Sequence, residues 1–288
     1  ERLLPELLPF ICLSERFFKF AVETSAGSLS PRTNWSHLAQ FEFALPPLVQ
    51  QRRLAALLWT VDEVIQESIS LHSKTQTLFE ASRNSEFESI KTTKRLSEVM
   101  VYASDGPFGS KLKTEHYAES GARLIRLQNI GARNFNDTDR AYISSFYFNE
   151  LRRYEVKSGD VIVAGLGDET HPVGRAVLIP ESLGFAINKA DCFCLRANKG
   201  ILSNEYLAYF LNSQNGQRQI IARAQGTTRM RVNVGNLKTV EIPIPSLEKQ
   251  EQIVNGLQQI ESALDQMAQR LSICAEMAKS LLSVVFGA

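Results

Sequence analysis

The stretch EFALPPLVQQ at 42–51 is an apolar run, two prolines and the start of a long charged segment, and it returns as EIPIPSLEKQ at 241–250. The offset is 199 residues (241 against 42). Held without a gap, it pairs Gly27 with Gly226, Arg32 with Arg231, Asn34 with Asn233, Leu38 with Leu237, Pro46 with Pro245, Gln51 with Gln250 and Leu54 with Ile253. Two apolar runs coincide by chance. A glycine, an arginine, an asparagine, a proline and a glutamine in one register do not, so the chain carries an internal duplication and each copy is a guide to the other.

After each proline the sequence turns to a four-three spacing. In the first copy it runs Leu54, Leu58, Val61, Ile65, Ser68, His72, Thr75 and Phe79; in the second, Ile253, Leu257, Ile260, Leu264, Met267, Leu271, Cys274 and Ala278, continuing to Leu281 and Val285. Apolar seams of this period, with Gln, Glu, Lys and Arg elsewhere, predict two coiled-coil helices, and proline suits a helix start. Each covers about 40 residues, or about 60 Å at the helical rise. With one apolar face apiece, they are expected to pack on each other. Ser68, His72 and Thr75 predict a looser stretch, or one that faces a partner subunit.

Residues 91–235 differ in character. RLIRLQNI (123–130), DVIVA (160–164) and RAVLI (175–179) read as strands between Gly, Asn, Asp and Pro turns, which predicts a β-rich domain. An amphipathic helix is expected over 204–224 through Tyr206, Leu207, Phe210, Leu211 and Ile220, followed by GTTRMRVN at 226–233. The opening residues echo that ending, with an apolar helix over 3–22 and then Gly27-Ser28, Arg32 and Asn34. This order predicts a first domain ahead of Glu1.

The chain has 288 residues and a net charge of +1. Residues 91–235 hold 20 Lys plus Arg against 14 Asp plus Glu, and the remainder holds 12 against 17. The middle is therefore basic and the flanks acidic, as suits a reader of a polyanion on an acidic scaffold. No stretch approaches a membrane span and no basic-then-apolar leader opens the chain, so a soluble, cytoplasmic protein is expected. Cys12, Cys192, Cys194 and Cys274 lack metal-ligand spacing and read as reduced core thiols.

DGPFGSKLKTEHY (105–117), RLIRLQNI, SGDVIVAGLGD (158–168), HPVGRA (171–176), NKADCF (188–193), GTTRMRVN and the two proline-led helix starts, in that order, resemble the DNA specificity subunit of type I restriction-modification systems. The resemblance covers essentially the whole chain but lacks the bulk of a first target-recognition domain. It implies an α+β architecture: 1–41 the tail of a first recognition domain, 42–90 a spacer helix, 91–240 a complete recognition domain, and 241–288 a second spacer helix. The two helices would form an antiparallel coiled coil in a pseudo-twofold repeat. It also implies a subunit that catalyses nothing and binds no cofactor itself. Such a subunit reads double-stranded DNA in two halves and docks modification subunits, which use S-adenosylmethionine, and restriction subunits where the system has them.

Base readout requires two-point hydrogen bonding: Arg or Lys to guanine, Asn or Gln to adenine, Asp or Glu to cytosine. The candidates are Arg126, Gln128 and Asn129 at the end of one strand-like run, with Arg126 and Gln128 on one side if alternation holds. Asp168, Glu169 and His171 in a glycine-flanked loop, and Asn188 and Lys189 after another run, complete the set. Phosphate contacts require charge and reach, which Ser110, Lys111, Lys113, Thr227, Thr228, Arg229 and Arg231 offer. Arg231 has a second reading as a brace at the domain-to-helix junction, because Arg32 repeats it.

Two other functions compete. Asp139 with Glu155 and Lys157 imitates a metal-dependent nuclease, although the spacing is permissive. A coiled-coil scaffold whose globular domain binds protein explains the helices but not the basic middle. No Gly-Lys dipeptide occurs, which excludes a P-loop, and no Asn-Pro-Pro or Asp-Pro-Pro occurs, which excludes an amino-methyltransferase signature.

Overall fold

The computed structural model describes residues 2–27 and 31–286, without the side chains of Val284 and Val285. Glu1, Ser28 and the last two residues of the expected second spacer segment lie outside the described residues, as does the side chain of the seam residue Val285. In chain order the first elements are α1 (Leu8–Leu13), α2 (Glu15–Glu23), α3 (Trp35–Leu38), α4 (Leu48–Ser89), β1 (Thr93–Arg95), α5 (Leu96–Val99), β2 (Met100–Ser104), β3 (Tyr117–Ala118), β4 (Ala122–Ile125) and β5 (Tyr142–Ile143). There follow α6 (Ser145–Glu150), β6 (Glu155–Val156), β7 (Val161–Ala164), β8 (Ala176–Leu178), β9 (Ala186–Asn188), β10 (Cys192–Ala197), α7 (Asn204–Leu211), α8 (Gln214–Ile221), α9 (Val234–Leu237), β11 (Glu241–Pro243) and α10 (Leu247–Phe286). The fold is α+β, and it divides into two units, residues 1–77 with 260–288 and residues 78–259.

Every described seam position of α4 and α10 is buried or partly buried, whereas their immediate neighbours are mostly exposed. In the first unit the start of α4 (Ala55, Leu58) shares a core with Leu7, Phe10, Ile11 and Phe286 at the end of α10. In the second, Glu86 near the end of α4 pairs with Lys249 near the start of α10 at 3.2 Å. In each unit, therefore, one end of α4 lies with the opposite end of α10. Ser68, His72 and Thr75 are partly buried, like the apolar seam residues Leu54, Val61 and Ile65, so burial does not set the polar layers apart.

The duplication extends to single hydrogen bonds. Gln51 Nε2 donates to the carbonyls of Arg2 and Pro46, and its Oε1 accepts from Leu4 N–H. Gln250 repeats this with Ile201, Pro245 and Ser203 N–H. Asn34 and Asn233 both cap the helix that follows them. Ala26 bridges Arg32 as Gln225 bridges Arg231, and Gly27 and Gly226 have φ of 106° and 91°.

The helices expected over 3–22 and 204–224 are each broken. Ser14 and Ser213, 199 residues apart, take extended backbone and cap α2 and α8 through their hydroxyls, which ends one helix and starts the next. The apolar run at 42–45 forms no strand, whereas its copy forms β11 by pairing antiparallel with β1. A strand exists only where a neighbour completes its ladder, and among the described residues 42–45 has none.

In the second unit β2-β10-β7-β8 make an antiparallel sheet, and β3-β5-β4-β9-β6 a mixed one in which β4 and β9 run parallel. Ile125, Ala186, Ile162, Val177, Cys192 and Cys194 fill the space between the sheets. Leu124 and Ile187, one residue along from Ile125 and Ala186, instead join Leu112, Ile143 and Phe148 on the outer side of the mixed sheet, the alternation expected of strands. Cys192 and Cys194 are thus core thiols, and burial pushes the Cys194 thiol well up. Cys12 is not a core residue: it is exposed on α1, and Cys274 is half-buried.

Helices α7 and α8 cover the four-stranded sheet: the Asn212 side chain exchanges two hydrogen bonds with the backbone of Ala176 in β8, and Ile220 packs on Gly174. The corresponding face of α1 and α2 is bare. Leu8 is 52% exposed where its copy Leu207 is 0% exposed, and Leu13 and Phe18 are exposed as well.

Candidate nucleic-acid interface

Four loops meet at one end of the four-stranded sheet: 105–108 after β2, 165–174 after β7, 189–191 before β10, and the 225–231 hairpin. Backbone hydrogen bonds tie them, from Gly165 N–H to Asp191 O at 2.7 Å, Gly167 N–H to Met230 O at 2.9 Å and Val232 N–H to Gly165 O at 2.9 Å. Asp105 Oδ1 accepts from Gly106 N–H and from Asp191 N–H. Gly106 is required here, because a Cβ would lie 2.4 Å from the Asn188 carbonyl oxygen. Asp191 takes the left-handed conformation with φ of 64°, and its carboxylate pairs with Arg231 at 2.7 Å. Arg231 therefore ties the 225–231 hairpin to the 189–191 loop, and its side chain is 54% exposed, which leaves room for a phosphate.

The knot displays Thr227, Thr228 and Arg229 on the hairpin and Asp168, Glu169 and His171 on its neighbour, all exposed. Asp168 Oδ1 accepts from Thr170 and His171, and these hydrogen bonds, the Thr170 hydroxyl first, hold its carboxyl down to about 2. Ser110, Lys111 and Lys113 are exposed but follow the chain away from the knot towards α6, where Tyr147 Oη donates to the Lys111 carbonyl.

The group at 126–129 needs correction. Strand β4 ends at Ile125 and residues Leu127–Asn129 form a 3-10 turn, so two-residue alternation does not hold for Arg126 and Gln128. Arg126 is committed to a bidentate pair with Asp139. Asn129 is 0% exposed; its amide donates to the carbonyls of Asn136 and Asp139 and accepts from Arg126 N–H. It locks the turn and offers no edge to a base. Asn188 is equally buried, donating to Cys192 O at 2.5 Å, and is likewise a fold residue. Lys189 is half-buried and donates to Tyr117 Oη. Gln128 alone of the turn residues is exposed with its amide uncommitted among the described residues. Asp139 is held by Arg126, Glu155 faces Arg152, and no group of three or more His, Cys, Asp or Glu side chains suited to a metal ion occurs among the described residues.

Arg175 is the residue that reading the sequence missed. It is buried, and its guanidinium donates to the carbonyls of Ile130, Leu127, Leu166, His171 and Pro172, joining the 127–130 turn to the 165–174 loop. The signal was present: a single arginine inside the apolar run VGRAVLI, where an unpaired charge is tolerated only if its donors are used inward.

Asp105 makes the knot sensitive to pH. Desolvation pushes its carboxyl up to about 6, against the two N–H donors and Arg231, while the Asp191 charge adds to the rise. The folded state thus binds a proton more tightly than the unfolded chain, so stability falls as pH rises from about 4 to about 6 and stays lower above that. Asp105→Asn keeps both acceptor contacts and removes the charge. Screening included, we expect the variant to be about 1–2 kcal/mol more stable than the parent at pH 7.5, with the gap closing below about pH 4. Urea unfolding at the two pH values measures it, and an equal difference at both would refute it.

Comparison with known proteins bears on the family and the fold. A MjaVIII type I restriction enzyme specificity subunit from Methanocaldococcus jannaschii is 22% identical over 275 residues, covering 88% of this chain and 62% of its own length. The chain thus spans less than two thirds of that relative. The HsdS subunit from Thermoanaerobacter tengcongensis superposes with a TM-score of 0.55 at 20% identity, over 98% of this chain and 70% of that one. A chain solved under the heading "Structural basis underlying complex assembly and conformational transition of the type I R-M system" gives 0.65 at 20% identity, over 99% and 72%. Both likenesses establish the fold. The profile described as "Type I restriction modification DNA specificity domain" matches residues 109–273, which takes in most of both sheets, three of the four knotted loops and much of α10. With more than half of its length matched, the chain belongs to the type I restriction-modification DNA specificity family.

Proposed function

We propose that this chain recognises one half of a bipartite target on double-stranded DNA and carries no catalysis of its own. The observation that carries the reading is the loop knot, which fixes Thr227, Thr228 and Arg229 beside Glu169 and His171 on a rigid sheet end; Arg175 ties the Gln128 turn to the same loop. A sheet end is a suitable platform because direct readout tolerates little error in position. In this proposal Arg229, with Lys111 and Lys113 further along, meets phosphates. Gln128, Glu169 and His171 face base edges.

The antiparallel helices act as the spacer, and modification subunits, holding S-adenosylmethionine, dock along them. Leu57, Val64 and Leu71 support the docking: they recur every seven residues on α4, outside its seam, and all are exposed. A stripe of that period is what a partner helix requires. The bare face of α1 and α2 fits a recognition-domain sheet like that formed by β7 and β8.

The test is binding to cognate and random duplexes over a salt series. Affinity is expected to fall steeply with salt. Gln128→Ala should relax preference at one base position at a cost of about 1–3 kcal/mol, while Lys111→Ala weakens all sequences alike. Asn129→Ala should lower folding stability by about 2–3 kcal/mol, because it strands two carbonyls and an amide. Salt-independent binding would favour the protein-binding scaffold instead.

A further inference from the structure

An open basin of about 1110 Å³ lies in the second unit at the N-terminal ends of the parallel strands β4 and β9, lined by Arg123 at one and Phe185 at the other. The Lys189 loop follows the opposite ends of these strands, so the basin is about 10 Å of strand away from the knot. Three arginines line it, Arg123, Arg140 and Arg152, against one carboxylate, Asp137, a balance of two positive charges. Asp137 is shared: Arg123 meets it at 2.7 Å and Arg140 at 2.6 Å. Among the described residues Arg152 has only a 4.0 Å contact with Glu155, and it is largely exposed. Arg123 is buried, and among the described residues its Nε has no hydrogen-bond partner.

That Nε is closed off from solvent, so an anion in the basin would be met instead by the exposed guanidinium groups of Arg140 and Arg152. Beside these charges the Phe185 ring, which packs on Phe148 with centroids 5.4 Å apart, is still 67% exposed. The Asn149 side chain adds a neutral hydrogen-bonding group. Cations, an exposed ring and an amide together fit a ligand with a flat ring and one or two phosphates. Glu150 and Glu181, exposed next to the lining in sequence, disfavour a long polyanion.

We propose that this basin is a binding site for a mononucleotide-class ligand, with the phosphate held by Arg140 and Arg152 and the ring stacked on Phe185. The site is separate from the duplex-reading loops and does not depend on their assignment.

Calorimetric titration of the whole 288-residue chain with AMP and ADP tests it, with adenosine, ribose 5-phosphate and inorganic phosphate as controls. We expect dissociation constants of about 0.1–1 mM for the two nucleotides and binding about tenfold weaker for each control. Arg152→Ala and Phe185→Ser are exposed replacements that leave the core intact, verified by an unchanged thermal melt. Each should weaken AMP about tenfold and leave duplex affinity as it was. No binding by either nucleotide, equal binding by both variants, or phosphate binding as tightly as AMP would overturn the proposal. Displacement of AMP by duplex DNA would also overturn it, since the basin would then belong to the DNA surface.

Discussion

Gln250→Ala is expected to lower unfolding stability by about 2–4 kcal/mol, a large change for a residue with no charge and no aromatic ring. The reason is position. The side chain is fully buried, with Nε2 donating to Ile201 O at 2.8 Å and Pro245 O at 3.1 Å and Oε1 accepting from Ser203 N–H at 2.9 Å. It stitches the first turn of α10 to the segment that leads into α7. Alanine would leave two carbonyls and one amide without partners, at about 1–3 kcal/mol each before relaxation. Gln250→Glu should also destabilise, because its carboxylate would face the same two carbonyl oxygens. Urea unfolding followed by far-UV circular dichroism measures the effect, as a lower midpoint at unchanged slope. The duplication supplies an internal control: Gln51→Ala breaks the same three contacts, with Arg2, Pro46 and Leu4, and should cost a similar amount. If neither substitution moves the midpoint, these amides are ornaments of the fold.

What the sequence made legible follows from the range over which each signal acts. A seven-residue period is sampled many times along α4 and α10, so Leu58, Phe79, Ile253, Leu257 and Leu264 were placed on the buried side from spacing alone. The helix breaks at Ser14 and Ser213 were not found, because apolar periodicity continues on both sides. Only the matched serines in the two copies marked the caps. Among site residues the limit was different. Polar residues at the end of a run were read as facing outwards, which holds when the chain goes on as a strand. At Ile125 it turns instead, and Asn129 spends its whole amide closing that turn. The same logic removed Asn188 from the surface. Residues in glycine-flanked loops, among them Glu169, Thr228 and Arg229, stayed exposed because a tight loop leaves their side chains nowhere else to go.

Arg175→Lys should have the largest effect on sequence discrimination, although Arg175 itself is buried and touches no ligand surface. Its five N–H donors form a rigid fork, and carbonyls of both the 127–130 turn and the 165–174 loop are fitted to it: Ile130 at 2.9 Å, Leu127 and Pro172 at 3.2 Å, Leu166 at 3.3 Å. Lysine keeps the charge but offers three donors from a single point, so it cannot serve both loops at once. Two or more carbonyls would then lose their partners, at a cost of about 2–4 kcal/mol in stability. The functional consequence is sharper, since Gln128 on one loop and Glu169 and His171 on the other would lose their common reference. Random-sequence affinity, set by exposed cations outside this fork such as Arg229 and Lys111, should change less than threefold or so, whereas the ratio of cognate to random binding should fall by about tenfold or more. The two quantities come from one experiment, a competition series on cognate and scrambled duplexes at fixed salt. A variant that loses both in equal measure would mean that Arg175 merely holds the domain together. A variant that retains full discrimination would mean that the loops it joins are not the readers.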